Sequence, residues 1–218
     1  MAEQGVVYVV YGPKAAKALR RSLCGLWQHN DVQVAVVVHD FGIDGLGPDD
    51  GVTLLKFPGP VIDNVKNSRW AKVNMLRLVR ERLHWKRVLY LDADTVVRDD
   101  VMAPFQMVED GWDIVLAPSV NQGDRLLAHI GADELEATLS EIGNAQPLQL
   151  QAGVMWFDVE RCAKFFDVWR EEWKRYQDQD QAAFLRALHR EPMKVMLLDR
   201  AWNSQKGSII EHAFGSAR

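Results

Sequence analysis

Apolar residues in this chain follow two rhythms. Short runs at Gly5–Tyr11, Val32–His39, Val52–Phe57, Lys86–Leu91, Asp113–Ala117 and Gln149–Val159 are bounded by glycine, proline or polar turns. Runs of that length and flanking predict strands buried on both faces. Between them, apolar positions recur at helical spacing. Ala15, Ala18, Leu19, Leu23 and Leu26 do so within Lys14–Gln28, and Trp70, Val73, Leu76, Val79 and Leu83 within Ser68–Leu83. The same spacing puts Cys162, Phe165, Phe166, Trp169 and Trp173 on the inner face of a helix over Glu160–Tyr176. Further helices are predicted near Pro104 and over Ala182–His189, one or two short ones lying over the sheet within Asn121–Gln146, and late strands at Met193–Leu198 and Ser208–His212. Alternating strands and helices predict an α/β fold with a mostly parallel central sheet flanked by helices. The irregular spacing of the later strands predicts a mixed sheet in the C-terminal half.

Composition narrows the class. The chain has 218 residues, a length suited to one domain, and its 48% hydrophobic and 26% charged residues are ordinary for a soluble globular protein. A formal net charge of −4 argues against a nucleic-acid partner held by a broadly basic surface. Cys24 and Cys162, the only cysteines, cannot build a disulfide framework or a four-thiolate zinc site, so a reducing, cytoplasmic setting is expected. The first apolar run stops at Gly12-Pro13-Lys14, too short for a signal sequence, and no transmembrane segment is expected.

Candidate chemistry begins where the run Arg87–Leu91 meets Asp92-Ala93-Asp94. In open α/β sheets ligands gather at the carboxyl ends of strands. Residues i and i+2 of extended backbone share a face, so the two carboxylates are expected to converge. Two hard oxygen donors suit Mg²⁺ or Mn²⁺, which leave positions for water and phosphate oxygens. A D-x-D is also common in solvated acidic loops, and the buried strand before it is what separates the two readings. Near the C-terminus, His212 could complete a Mn²⁺ site, Gly215 could admit a diphosphate close to backbone, and Arg218 could grip phosphate oxygens bidentately. Gln151-Ala152-Gly153 reads as a small-residue turn before a strand. Asp180 suits either a helix N-cap or, with Gln181, hydrogen bonding to sugar hydroxyls, and Asp178-Gln179 offers the same pair two residues earlier.

Five segments in order then resemble one family. They are Tyr90-Leu91-Asp92-Ala93-Asp94-Thr95, Gln151-Ala152-Gly153-Val154-Met155, Asp180-Gln181-Ala182-Ala183-Phe184, Trp202-Asn203 and His212-x-x-Gly215-x-x-Arg218. Together they resemble the GT-A nucleotide-sugar glycosyltransferases, especially the glycogenin and galactosyltransferase-like family 8. The resemblance implies a GT-A, Rossmann-like fold over residues 1–218, with 1–100 as the nucleotide-binding half and 101–218 as the sugar and acceptor half. It implies Mn²⁺ or Mg²⁺ held by Asp92, Asp94 and His212, with a UDP-sugar as donor. A hexose-type sugar would move to an acceptor hydroxyl with retention of configuration. Val10, Tyr11 and Gly12 would lie beside uracil and ribose, Asp92 also near the ribose, and Lys72 at the diphosphate or sugar. Gln151, Asp180 and Gln181 would face the donor sugar, with Asp180 and Gln181 as the catalytic pair. Ala93, Gly153, Gly215 and Arg218 complete the expected cofactor-binding set.

The chain departs from the family in having Gln151 for its Asn and Arg218 for its Lys. An inverting enzyme would instead need a carboxylate base, for which Asp158, Asp178 and Asp180 are available. The acceptor, whether a sugar, a lipid-linked glycan or a protein, is not specified; the irregular segments 40–51 and 121–146 are expected to shape its pocket. Two alternatives compete. Asp92-Ala93-Asp94-Thr95-Val96 also resembles the nucleophile loop of haloacid-dehalogenase-like phosphatases, in which the first Asp takes the phosphoryl group. The other is a sugar-nucleotide-binding domain without transfer activity.

Overall fold

The computed structural model describes residues 3–39, 43, 46–58, 63–119, 127, 129–143 and 147–214. A parallel βαββαβ layout opens the chain: β1 (Gln4–Val10), α1 (Pro13–His29), β2 (Gln33–Val38), β3 (Val52–Lys56), α2 (Asn64–Arg82) and β4 (Arg87–Asp92). Then come β5 (Thr95–Val97), α3 (Ala103–Glu109), β6 (Ile114–Pro118), α4 (Ala132–Ile142), β7 (Leu150–Asp158), α5 (Ala163–Tyr176), α6 (Asp180–Arg190), β8 (Val195–Leu197) and β9 (Ile210–His212). Seven strands form one sheet in the order β3-β2-β1-β4-β7-β6-β8. The first four are mutually parallel; β7 runs antiparallel to both β4 and β6, and β8 is parallel to β6. This is the mostly parallel, C-terminally mixed sheet that the hydrophobic pattern predicts.

Period-two alternation gives each central strand two apolar faces, so the sheet carries a core on either side. Val7, Val9, Tyr11, Val88 and Tyr90 pack with α2, α5 and α6 residues, including Met75, Val79, Phe165, Trp169 and Phe184. Val6, Tyr8, Val10, Leu89 and Leu91 pack beneath α1 and α3 with Leu19, Leu23 and Phe105. The aromatic stripe of α5 faces inward as its spacing predicts, Trp169 and Phe184 meeting edge to face at 4.9 Å.

Several boundaries differ from expectation for identifiable reasons. Helix α2 begins at Asn64, four residues earlier than apolar spacing indicates, because Asp63 caps it by accepting from the backbone N–H groups of Val65 and Lys66. Strand β5 is absent from the sequence reading. Its three residues pair antiparallel with β9, Thr95 opposite His212, in a separate two-stranded sheet, so β9 does not join the central sheet. Helix α4 falls within the polar stretch 121–146 but packs on α6 rather than on the sheet. The order β2-β1-β4 places the chain's direction switch between β1 and β4, opening a crevice at their carboxyl ends.

Candidate functional site

A cavity of about 730 Å³ occupies that crevice, and its lining includes Tyr11, Gly12, Lys72, Asp92, Ala93, Asp94, Gln151, Asp180, Gln181 and His212. Asp92 is the last residue of β4, and Asp94 lies in the following turn rather than in extended backbone. The i, i+2 rule therefore pairs Asp92 with Tyr90 instead: the Tyr90 hydroxyl donates to Asp92 Oδ1 at 2.6 Å. Thr95 closes the turn by donating from Oγ1 to the Asp92 carbonyl at 2.9 Å. Its hydroxyl continues a buried chain through Ser22 Oγ at 3.2 Å to Tyr8 at 3.0 Å, tying the turn to α1 and β1.

His212 reaches the turn because β9 pairs with β5. Its Nε2 stands 3.2 Å from Asp94 Oδ1 and 3.7 Å from Asp92 Oδ2. One ligand atom from each of Asp92, Asp94 and His212 lies within 4.8 Å of the others. Neighbouring donors around an octahedral Mg²⁺-sized ion sit about 3 Å apart, so the three side chains fit such an ion. Gly153 supports that fit. A β-carbon there would stand 2.5 Å from both Asp92 Oδ2 and His212 Cε1, so only glycine leaves the two ligands room to meet. The ring of Phe214 lies against that of His212, centroids 4.1 Å apart.

Lys72 supplies the countercharge. From α2 its Nζ reaches Asp180 Oδ2 at 2.7 Å and Asp92 Oδ1 at 3.5 Å, over the Tyr90 ring at 4.9 Å. Burial by itself would depress the lysine, but the charges of Asp180 and Asp92 outweigh it and hold its pKa above the ordinary value. Burial would likewise raise Asp180; Lys72 and Arg69 hold it below the usual aspartate range. Burial, then the adjacent Asp92 charge, pushes the Tyr90 phenol well up, so it remains a donor.

Asp180 is thus not the N-cap. It occupies the first helical position of α6, with Gln179 at the cap making no side-chain cap bond. A buried ammonium at 2.7 Å is a stronger partner than a backbone N–H that water can reach. The segment ahead of α6 is pinned from below. Trp173 Nε1 and Arg69 Nη1 both donate to the Asp178 carbonyl, each at 3.1 Å, and Trp169 Nε1 donates to that of Asp180 at 3.0 Å. Asp178 itself pairs with Arg69 at 3.2 Å, its side chain 45% exposed, whereas Gln179, Asp180 and Gln181 line the cavity. Of the two candidate aspartates, Asp180 is the one in the cavity wall; both glutamines are there. Gln181 Nε2 is buried and has no hydrogen-bond partner among the described residues, a donor left open in the cavity wall.

Other predicted residues distribute unevenly. Val10 does not reach the cavity: alternation along β1 turns Val9 and Tyr11 towards it and Val10 into the core under α1. Asp158 lies at the far end of β7, opposite Arg87, where it accepts from the Glu160 and Arg161 backbone, so it is no base for this cavity. Gly215 and Arg218 lie outside the described residues, as do parts of segments 40–51 and 121–146. Arg69 is not foreseen from the sequence at all, and Tyr90 and Asn203, though they stand in the motif segments, carry no site role there. The same alternation that places Asp92 would have placed Tyr90; nothing in the local sequence points Asn203 at His212.

By sequence the chain matches no protein-family model and no curated protein. Solved structures share its architecture. The bifunctional glycosyltransferase WbbM, in its apo form, aligns over 98% of this chain with TM-score 0.71 at 16% identity, although the chain spans only 46% of WbbM. The galactosyltransferase LgtC, in complex with donor and acceptor sugar analogues, aligns over 97% of this chain and 87% of its own, with TM-score 0.64 and 15% identity. The chain has the GT-A fold. Mouse xyloside xylosyltransferase 1 extends the likeness over 100% of both chains, with TM-score 0.63 at 10% identity. At such identities what is shared is the fold, which agrees with the resemblance to family 8 carried by the sequence motifs.

Proposed function

We propose that this protein is a metal-dependent glycosyltransferase that moves a hexose-type sugar from a nucleoside diphosphate, UDP first among the candidates, to an acceptor hydroxyl. The observation that carries this reading is the convergence of Asp92, Asp94 and His212 at the carboxyl end of β4, beside the β1–β4 crevice of a GT-A fold. Asp92, Asp94 and His212 would hold Mn²⁺ or Mg²⁺. When bound, the ion supplies Lewis-acid neutralisation of the charge that builds on the diphosphate as the anomeric bond breaks.

The surrounding residues suit complementary tasks. Tyr11 and Gly12, at the end of β1, form the wall proposed for base and ribose. Lys72 keeps its charge beside Asp92 and adds fixed positive potential near the leaving group. Gln181 offers its unspent amide to the sugar, and Gln151 lies on the facing wall. Ala93 is a small residue between the two aspartates, leaving the diphosphate access. In this reading residues 1–100 bind the nucleotide and residues 101–218 contribute sugar and acceptor contacts, with His212 crossing from the second set to the first. Gly215 and Arg218 are proposed to extend the diphosphate contacts beyond His212.

Retention is the stereochemical outcome we favour. Asp178 and Asp180 are both engaged in ion pairs, with Arg69 and Lys72, and neither is a free general base. A phosphatase nucleophile would need an Asp92 oxygen free for attack; Oδ1 already accepts from Tyr90 and Lys72, and Oδ2 faces His212.

The test is a screen of nucleotide sugars with Mn²⁺, scored by donor hydrolysis and by anomeric NMR of any product. UDP with Mn²⁺ should raise the unfolding temperature, whereas neither alone should match the pair. Metal-dependent turnover that survives Asp92→Asn would overturn the assignment. A shift with phosphate analogues alone would redirect it to phosphoryl chemistry, and hydrolysis without transfer to any acceptor to a binding domain.

A further inference from the structure

Asn203 belongs to no element of the sheet or helices, yet it is almost wholly buried behind the metal corner. Its Oδ1 lies 2.8 Å from His212 Nδ1, and its Nδ2 donates to the Gln151 carbonyl at 3.4 Å. The two contacts fix each other. Rotating the amide by half a turn would set its oxygen against the Gln151 carbonyl oxygen, so the amide nitrogen must face Gln151 and the oxygen must face the imidazole. Oδ1 is an acceptor only, so His212 Nδ1 carries the hydrogen. Nε2 is then the atom left to meet Asp94 at 3.2 Å and Asp92 at 3.7 Å.

The backbone around Asn203 serves the same end. His212 N–H donates to the Ser204 carbonyl at 2.9 Å, and Ser204 bridges Glu211, so the Asn203–Ser204 corner and β9 are held side by side. The Trp202 ring packs edge to face on Trp156 of β7, centroids 5.5 Å apart, anchoring the corner to the strand that also carries Gln151 and Gly153.

From this geometry we infer that Asn203 is a positioning residue with two separable tasks. It rests on the metal-site reading above. Through Oδ1 it selects the His212 tautomer whose Nε2 lone pair can serve a divalent cation, and it fixes the plane of the ring. Through Nδ2 it ties the ring to the Gln151 carbonyl, so that cation occupancy and the wall proposed for the donor sugar are mechanically joined. A purely packing role for the side chain would make neither contact specific.

Three variants separate these tasks. Asn203→Ala removes both and should weaken Mn²⁺ binding about 10- to 100-fold, the usual cost of removing the partner of a ligating histidine, as read by Mn²⁺ electron paramagnetic resonance without any turnover. Asn203→Asp keeps an acceptor for Nδ1 but replaces the donor to Gln151 with a carboxylate oxygen that repels its carbonyl. It should retain Mn²⁺ affinity within about threefold while raising KM for the nucleotide sugar more than it lowers kcat. Asn203→Leu, close in volume, should behave like Asn203→Ala if the amide oxygen matters and like the parent protein if only packing does. Thermal unfolding of each variant without metal separates loss of fold from loss of site.

Parent-like Mn²⁺ affinity in folded Asn203→Ala or Asn203→Leu would overturn the inference. So would an Asn203→Asp variant as defective in metal binding as Asn203→Ala. Should the unaltered protein itself bind no Mn²⁺ in the presence of UDP, the proposed function fails first, and the two failures are told apart by that control.

Discussion

Two clusters of charge, both touching helix α6, obey opposite rules in this protein. At the junction of α4, α5 and α6, Arg186 is 1% exposed and uses every N–H it has. It donates to Glu172 Oε2 at 2.8 Å, Glu134 Oε1 at 3.0 Å, Thr138 Oγ1 at 2.6 Å and the Glu172 carbonyl at 3.2 Å. Glu172 receives Arg175 and Arg190 as well, at 2.7 and 2.6 Å. Burial would raise its pKa, but three arginines keep it below the usual value. At the end of β4, by contrast, Asp92, Asp94 and Asp180 share one lysine and one imidazole. The first cluster closes on itself and holds helices together. The second sets three aspartates around one lysine and one imidazole, with Arg69 acting on Asp180 as well, beside a cavity whose wall holds the Gln181 amide. Titratable groups shifted by burial and by one another in a cleft mark a candidate ligand site.

That contrast can be broken by substitution. The largest effect is expected from Asp94→Asn: sugar transfer should fall by about 10²- to 10³-fold as several kcal/mol of charge stabilisation are lost. The loss of turnover should far exceed any change in the unfolding midpoint measured without metal. Arg186→Met should do the reverse. Breaking a buried pair from one side costs about 3–5 kcal/mol, visible in urea denaturation, while Mn²⁺ affinity of the folded fraction should be unchanged. A Gly153→Ala variant should fold yet bind Mn²⁺ at least about tenfold more weakly, because its methyl would intrude on Asp92 and His212, as titration by electron paramagnetic resonance would read. Tyr90→Phe should be milder, near 1 kcal/mol in stability by loss of one buried hydrogen bond, with a several-fold rise in the Mn²⁺ dissociation constant.

The smallest effect sharpens the comparison through pH. Asp180 has its pKa lowered in the fold, so the unfolded chain takes up the proton first as acid is added, near pH 3.9. The stabilisation from its pairing with Lys72 is complete above that pH and is lost as pH falls through the folded value. Urea midpoints at pH 7 and pH 3 should therefore differ less in Lys72→Met than in the parent. Equal acid sensitivity in both would show that the pair is not responsible.

How much of this was legible beforehand follows the physics of each element. The strands β1, β2 and β4, and β7 from Ala152 to Phe157, are buried on both faces, so their central residues form apolar runs that can be read directly. Strand β5 could not be read, since three residues become a strand only through β9, far along the chain. Asp92 and Asp94 stood out because carboxylates following a buried strand need a reason. His212 is a candidate by imidazole chemistry alone, but one histidine near a strand end is a weak signal, and the family resemblance is what singles it out. Val10 was misplaced by attending to its position at the strand's end rather than to alternation, the rule that also hides Tyr90 in plain view. Asn203 is marked in the sequence as half of the Trp202-Asn203 pair, but its contact with His212 is a matter of three dimensions.

The antiparallel pairing of β5 with β9 has a consequence for how the protein comes into being. During synthesis β4 and both aspartates leave the ribosome long before residue 212, so a chain not yet extended that far carries the acidic residues and Lys72 but not the imidazole. Closing so long a loop is entropically unfavourable, and a divalent ion that bridges the aspartates to His212 would act as a clasp on it. Nascent chains would then acquire cation affinity abruptly, when β9 docks, and not gradually as the sheet grows.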